Sequence, residues 1–100
     1  MSRIHLIENE GSIKKVDEKT WESGDWAVTE GTAKKLIDGS ILFHKKQAQP
    51  SFFGGVIEGY RVQEEGKSQG RIIFSFRYSA DCRQVSTERS GWRNEMKIVL

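Results

Sequence analysis

Apolar and polar residues alternate in short blocks along this chain rather than in long helical stripes, and the blocks predict strands. Ile4-His5-Leu6-Ile7 is a compact apolar run with strand character. The turn-like Asn9-Glu10-Gly11-Ser12 follows, after which residues 13–16 can pair back as a hairpin arm. Trp21 and Trp26 flank Ser23-Gly24-Asp25, which reads as a turn with a strand from Trp26 onward. The period then changes. Thr29 is a helix N-cap with Glu30 in the first turn, and Ala33, Leu36 and Ile37 fall at helical spacing while Lys34, Lys35 and Asp38 face outward. Gly39 is the expected C-cap of this short helix.

From residue 40 the helical period gives way to strands again. Residues 41–44 (Ile-Leu-Phe-His) are apolar enough for a buried strand, and residues 45–50 form a polar loop stiffened by Pro50. Ser51-Phe52-Phe53-Gly54-Gly55 leads into a strand over residues 56–62. Gly54, Gly55 and Gly59 each mark a bulge, a bend, or a place where another backbone or a ligand comes close. Strict alternation leaves the facing of this strand open, because Ile57 opposes Val56, Tyr60 and Val62. Residues 63–70 make a polar hairpin connection. Residues 71–78 alternate most clearly, with Ile72, Phe74, Phe76 and Tyr78 on one face and Arg71, Ile73, Ser75 and Arg77 on the other. Residues 79–91 lack periodicity and read as a long loop carrying Cys82, Arg83 and Arg89. After Trp92 a closing strand alternates Met96, Ile98 and Leu100 with Lys97 and Val99.

These elements predict one domain over residues 1–100 of the α+β class, mainly β: a small curved sheet or partly closed β-barrel with one short helix plugging one end. A chain of 100 residues with 36% hydrophobic and 30% charged residues can bury one core. The single cysteine excludes an intramolecular disulfide and suggests a reducing compartment. No run approaches the roughly 20 apolar residues of a membrane span, and residues 1–9 lack the apolar core of a signal peptide. The expectation is a cytoplasmic protein without a membrane partner. A net charge of +2 argues little, but residues 1–32 hold four basic and seven acidic side chains against twelve and seven in the remainder. That asymmetry suits a side facing a polyanion, as it also suits a solvated mixed surface.

A short helix ending at Gly39, a strand closing on Phe43-His44, a polar loop with Pro50 and then Phe53-Gly54-Gly55-Val56-Ile57 entering a strand resemble the core of the PUA-like superfamily. The likeness is nearest its EVE and ASCH branches and covers residues 26–78, although the Gly-x-Lys motif of many ASCH domains is absent. The resemblance implies a pocketed β-barrel that binds RNA or DNA, in some members by accepting a modified or flipped base. An unstacked base needs flat surfaces and a few edge-reading groups, and the flanking phosphates need cations. Trp26, Phe52, Phe53, Tyr60 and Trp92 are the candidate rings, three of which are expected in the core. His44, Ser51 and the amides of Gly54 and Gly55 are candidate edge readers; Lys45, Lys46, Arg61 and Arg77 are candidate phosphate ligands.

Two other function classes fit the sequence. Some ASCH-like proteins resemble small amidohydrolases acting on modified nucleosides with a lysine, a threonine and a carboxylate, and Lys19, Thr20 and Glu22, with Glu58 or Asp25 as the acid, supply those types. A protein-interaction module is the other, pairing through a strand edge at residues 71–78 or at the C-terminal strand, with a homodimer as one outcome. His5 reads as a structural strand histidine, and Cys82 beside Arg83 as either an incidental thiol or a nucleophile of depressed pKa. Neither a cofactor motif nor a metal-ligand cluster is present in the sequence.

Overall fold

A computed structural model describes residues 2–8, 10–67 and 69–100. The strands are β1 (Arg3–Ile7), β2 (Lys14–Lys15), β3 (Thr20–Trp26), β4 (Ser40–His44), β5 (Phe53–Val62), β6 (Ile72–Tyr78) and β7 (Met96–Val99), with one α-helix, α1 (Glu30–Leu36). They form a single sheet in the order β2-β3-β6-β5-β4-β1-β7. β1 runs parallel to β4, and every other pairing is antiparallel. The domain is mainly β with one short helix, and its sheet is not closed.

Two bulges set which side chains face inward. In β3 the register slips between Glu22 and Asp25, so Trp21 and Trp26, five residues apart, both lie on the inner face, opposite Phe76 and Ile72. The residues expected to form a turn, Ser23-Gly24-Asp25, therefore bulge within one strand that ends at Trp26 rather than beginning there. The bulge's displaced backbone groups find partners: Phe74 N–H donates to Ser23 Oγ at 3.1 Å and Gly24 N–H donates to Glu8 Oε1 at 2.7 Å. In β5 the slip between Ile57 and Gly59 does the same, placing Gly55, Ile57, Tyr60 and Val62 on the inner face. The apolar residues that defied alternation in the sequence are reconciled by one extra residue.

The inner face carries the core, in which Ile4, Leu6, Ile41, Phe43, Ile57, Phe74 and Phe76 are fully buried together with Ala33 and Leu36 of α1. Thr29 caps the helix, its Oγ1 accepting the Thr32 N–H at 3.2 Å. At the other end Ile37 is the cap and Asp38 takes the left-handed backbone (φ 71) expected of Gly39. Gly39 is glycine for space instead, because a Cβ there would strike the Ser2 carbonyl.

Several local expectations are corrected. Residues 13–16 do not pair back on β1: β2 pairs with β3, joined by a turn in which the Asp17 carboxylate accepts the Lys19 and Thr20 N–H groups. Of the expected first turn, residues 10–12 form a 3-10 turn and Asn9 lies outside the described residues; Ser68 of the 63–70 connection does so too. Residues 71–78 offer no free edge, since β6 is held between β3 and β5; β2 and β7 are the edge strands. The segment after Tyr78 is a tied strap rather than a loose loop. A 3-10 turn over Ala80–Cys82 packs on β5, and Ser51 joins the strap by accepting from Gln84 N and donating its own N–H to Val85 O. Among the described residues no helix is long and apolar enough to cross a membrane.

Candidate functional site

An open cleft of about 690 Å³ lies where the β2–β3 hairpin meets the ends of β5 and β6, within the range of ligand-binding pockets. Its walls are Ile13, Lys15, Glu18, Lys19, Trp21, Phe52, Phe53, Arg77, Tyr78 and Arg83. Phe53 organises the rings: it stacks on Tyr78 (centroids 5.0 Å, interplanar 26°) and meets Trp21 edge-on (5.0 Å, 68°) and Phe76 likewise (6.0 Å, 74°). Tyr78 is 38% exposed because it continues the inner-face row of β6 beyond the core. The Lys15 ammonium lies 5.8 Å from the Trp21 centroid, a cation–π contact across the β2–β3 pair.

The electrostatics are one-sided. Lys15, Lys19, Arg77 and Arg83 border the cleft against the single carboxylate of Glu18. Among the described residues none of these four cations is held in an ion pair; the pair that is formed, Arg61 Nε to Glu22 at 2.9 Å, lies elsewhere. The exposed Tyr78 and the half-buried Trp21, Phe52 and Phe53, edged by these cations, suit a ligand that is flat, aromatic and anionic.

Of the ligand-binding candidates named from the sequence, Phe52, Phe53 and Arg77 meet in this cleft, and Lys19 of the amidohydrolase candidates lines it too. Trp26 and Lys45 line a second cleft, to which Phe52 also contributes, with Lys45 Nζ 5.8 Å from the Phe52 centroid. Lys46 is exposed on the loop after β4 and lines neither cleft. Tyr60 and Arg61 face another region, where Tyr60 OH donates to Glu30 at 3.1 Å and Arg61 is spent on Glu22. Gly54 and Gly55 are buried in the sheet. A Cβ on Gly54 would strike the Ile41 carbonyl, and one on Gly55 the Arg77 carbonyl, so both glycines permit close approach of backbone rather than of a ligand. Their amides are not in the cleft wall.

Ser51 and His44 are wholly buried and serve the fold. Ser51 Oγ donates to Cys82 O at 2.6 Å and accepts the Val85 N–H at 3.0 Å. His44 Nδ1–H donates to Gln49 O at 2.8 Å, which leaves Nε2 to accept from His5 Nδ1–H at 2.9 Å. Trp92 packs edge-on against His44 (5.6 Å, 88°) and covers the pair. Burial holds the His5 pKa down to about 4, with the neighbouring His44, Arg3 and Lys97 adding to the effect, and burial lowers that of His44 as well. The Cys82 thiol is also buried, and burial raises its pKa, the opposite of an activated nucleophile. Among the described residues no three His, Cys, Asp or Glu side chains cluster as metal ligands.

The cleft adds Trp21, Tyr78, Lys15, Lys19 and Arg83, which the sequence did not bring together. The signal for three of them was the Asp17-x-x-Thr20 pattern, an Asx turn that makes residues 14–21 a hairpin and sets Lys15 opposite Trp21. Comparison with protein-family models, with curated proteins and with solved structures returns no match for this chain.

Proposed function

We propose that this protein binds single-stranded nucleic acid, RNA or DNA, in the Trp21–Phe53–Tyr78 cleft. An unstacked base lies against the rings while Lys15, Lys19, Arg77 and Arg83 neutralise the flanking phosphates. The observation that carries the reading is four cations without carboxylate partners, among the described residues, around the exposed Tyr78 ring and the half-buried Trp21, Phe52 and Phe53. Lys15 rests on the Trp21 ring, but among the described residues Lys19, Arg77 and Arg83 are held by no ion pair, and a nucleotide uses both the cations and the rings. The PUA-like resemblance points the same way and extends the proposal to a modified or flipped base.

The test is fluorescence anisotropy with labelled single-stranded RNA, single-stranded DNA and duplex. Three to four phosphate contacts on a single strand predict a slope of log K against log salt of about −2 to −3. Trp21→Ala is expected to weaken binding by about 1–3 kcal/mol, roughly 5- to 150-fold, with unfolding curves showing the variant still folded. Absence of binding at low salt to every probe defeats the proposal.

A second reading, a small amidohydrolase acting on a modified nucleoside, is favoured by one observation. Lys19, Thr20 and Glu58 line a common shallow depression with Arg77, adjoining the cleft, while Glu22 is engaged with Arg61 and Asp25 lines the second cleft. It predicts hydrolysis of an N-acylated nucleoside that is lost in Lys19→Ala; no turnover across a panel of acylated nucleosides removes it.

A further inference from the structure

The open sheet leaves a gap beside its last strand, and the backbone register shows which groups face it. Ile7 N–H donates to Glu95 O at 2.9 Å, and β1 and β7 stay in register from Leu6 opposite Met96 to Arg3 opposite Val99. Bonded and non-bonded rungs alternate in an antiparallel pair, so Lys97 and Val99 turn their N–H and C=O toward β1 while Met96 and Ile98 turn theirs outward. Arg93 satisfies Met96: Arg93 N–H donates to Met96 O at 2.7 Å and Met96 N–H to Arg93 O at 3.0 Å. The next rung is empty. Among the described residues no backbone group or strand takes the outward N–H and C=O of Ile98.

A cleft of about 430 Å³ opens onto this rung, between Met96 and Ile98 of β7 and, across the gap, Val28 of the β3–α1 link and Thr32 of α1. Its lining holds one cation, Arg93, and no carboxylate. The acidic side chains closest in sequence are directed elsewhere: Glu30 accepts the Tyr60 OH in another cleft, and Glu95 lines the second cleft with Trp26. Arg93 has no ion-pair partner among the described residues. Thr29 Oγ1–H donates to Thr32 Oγ1 at 3.0 Å, which leaves the Thr32 hydroxyl proton free for an acceptor in the cleft. Unpaired strand backbone, an apolar wall and a lone cation thus meet in one gap.

We propose that this gap binds the C-terminal segment of a partner protein, added antiparallel to β7 as an extended strand, with an apolar penultimate side chain in the cleft and the terminal carboxylate on Arg93. An antiparallel strand beside Ile98 runs back toward Met96. The residue that exchanges bonds with Ile98 shares its face, on which Ile98 and Met96 pack against the core, so its side chain enters the cleft. One more residue fits, opposite Lys97, before Arg93 occupies the line beside Met96. The strand therefore ends there, where its carboxylate meets the guanidinium in a charge-assisted contact. A parallel strand would bring its ammonium to Arg93 instead. A second copy paired β7 to β7 about Ile98 would drive its Leu100 onto Arg93, so the register disfavours self-pairing. The site is separate from the Trp21 cleft and does not rest on nucleic-acid binding.

The experiment is an NMR titration of the full chain with N-acetylated tetrapeptides whose penultimate residue is valine, leucine, phenylalanine or aspartate, each as free acid and as C-terminal amide. The expected result is that at least one apolar free acid moves the Ile98 amide proton downfield, as a new hydrogen bond requires, with Val28 and Thr32 shifting alongside. Its amide should bind about tenfold more weakly, and Arg93→Gln should reduce the acid to the level of the amide. The aspartate peptide should not bind. Should Arg93→Gln fail to fold, the acid and amide pair on the parent protein decides. An Ile98 amide unmoved by every peptide, equal affinity for acid and amide, or a preference for aspartate overturns the proposal, as does a concentration-dependent dimer that shifts Ile98 without peptide.

Discussion

Replacing Gly55 with alanine is expected to destabilise the protein by about 2–3 kcal/mol, because the added methyl group has nowhere to go. Its Cβ is aimed at the Arg77 carbonyl of β6 and also comes within 3.0 Å of the Phe76 ring. The carbonyl belongs to a strand held on both sides, so relief requires β5 and β6 to separate rather than a side chain to rotate. Overpacking of this kind costs about 1–3 kcal/mol, at the upper end where backbone must move. The lost freedom of the unfolded chain returns about 0.4–1 kcal/mol at most, and only where the native conformation is unstrained. For a domain of this size the net loss lowers Tm by roughly 10–20 °C. Gly59 is the control: the nearest atom to a Cβ there is Ser75 Oγ at 3.4 Å, an ordinary contact, so Gly59→Ala should stay within about 0.5 kcal/mol of the parent. Urea and thermal unfolding followed by tryptophan fluorescence measure both. A Gly55→Ala protein as stable as the parent, or a Gly59→Ala protein equally damaged, would refute the close-approach account of the double glycine.

Other outcomes follow from the same geometry. Arg77→Ala should weaken RNA and DNA binding alike and reduce the magnitude of the salt slope by about 0.7, one phosphate contact's worth; an unchanged slope removes Arg77 from the interface. Ser51→Ala leaves the Cys82 carbonyl and the Val85 N–H without their partner in a buried site and should cost about 1–3 kcal/mol in urea unfolding, the strap residues exchanging their amides first. Stability against pH should combine two opposed slopes. His5 titrates near 4 in the fold against 6.5 unfolded, so its contribution is complete above 6.5 and is lost as pH falls toward 4. Glu8 titrates near 7 in the fold against 4.5 unfolded, so its contribution is present below 4.5 and is lost as pH rises through 7. The parent should therefore be nearly flat between these limits, and Glu8→Gln should gain about 2 kcal/mol as pH rises from 4.5 to 6.5, allowing for solvent screening. Equal slopes in parent and variant would contradict the assignment.

Much of the architecture was legible because local signals carried it. The runs that became β1 and β4, the Thr29 cap with its Ala33–Leu36 stripe and the alternation of β6 each announced an element. Ser23-Gly24-Asp25 misled because a bulge and a turn use the same small and polar residues; only the inward facing of both Trp21 and Trp26 separates them, and that depends on β6. The parallel pairing of β1 with β4 joins residues nearly forty positions apart and leaves no local trace. Gly54 and Gly55 were visible as a demand for close approach, but the sequence does not say whether a ligand or a neighbouring strand approaches. Phe52, Phe53 and Arg77 could be singled out by residue type. Tyr78 could not, since a ring at the end of a core-facing row looks the same in sequence as one inside it.

The proposed function rests on the Trp21–Phe53–Tyr78 cleft, and chemical-shift mapping with a short single-stranded oligonucleotide tests it most directly. The prediction is a contiguous set of perturbed resonances at Lys15, Lys19, Trp21, Phe53, Arg77, Tyr78 and Arg83, fading as salt is raised. Perturbations confined to other surfaces, or none at low salt, would contradict it.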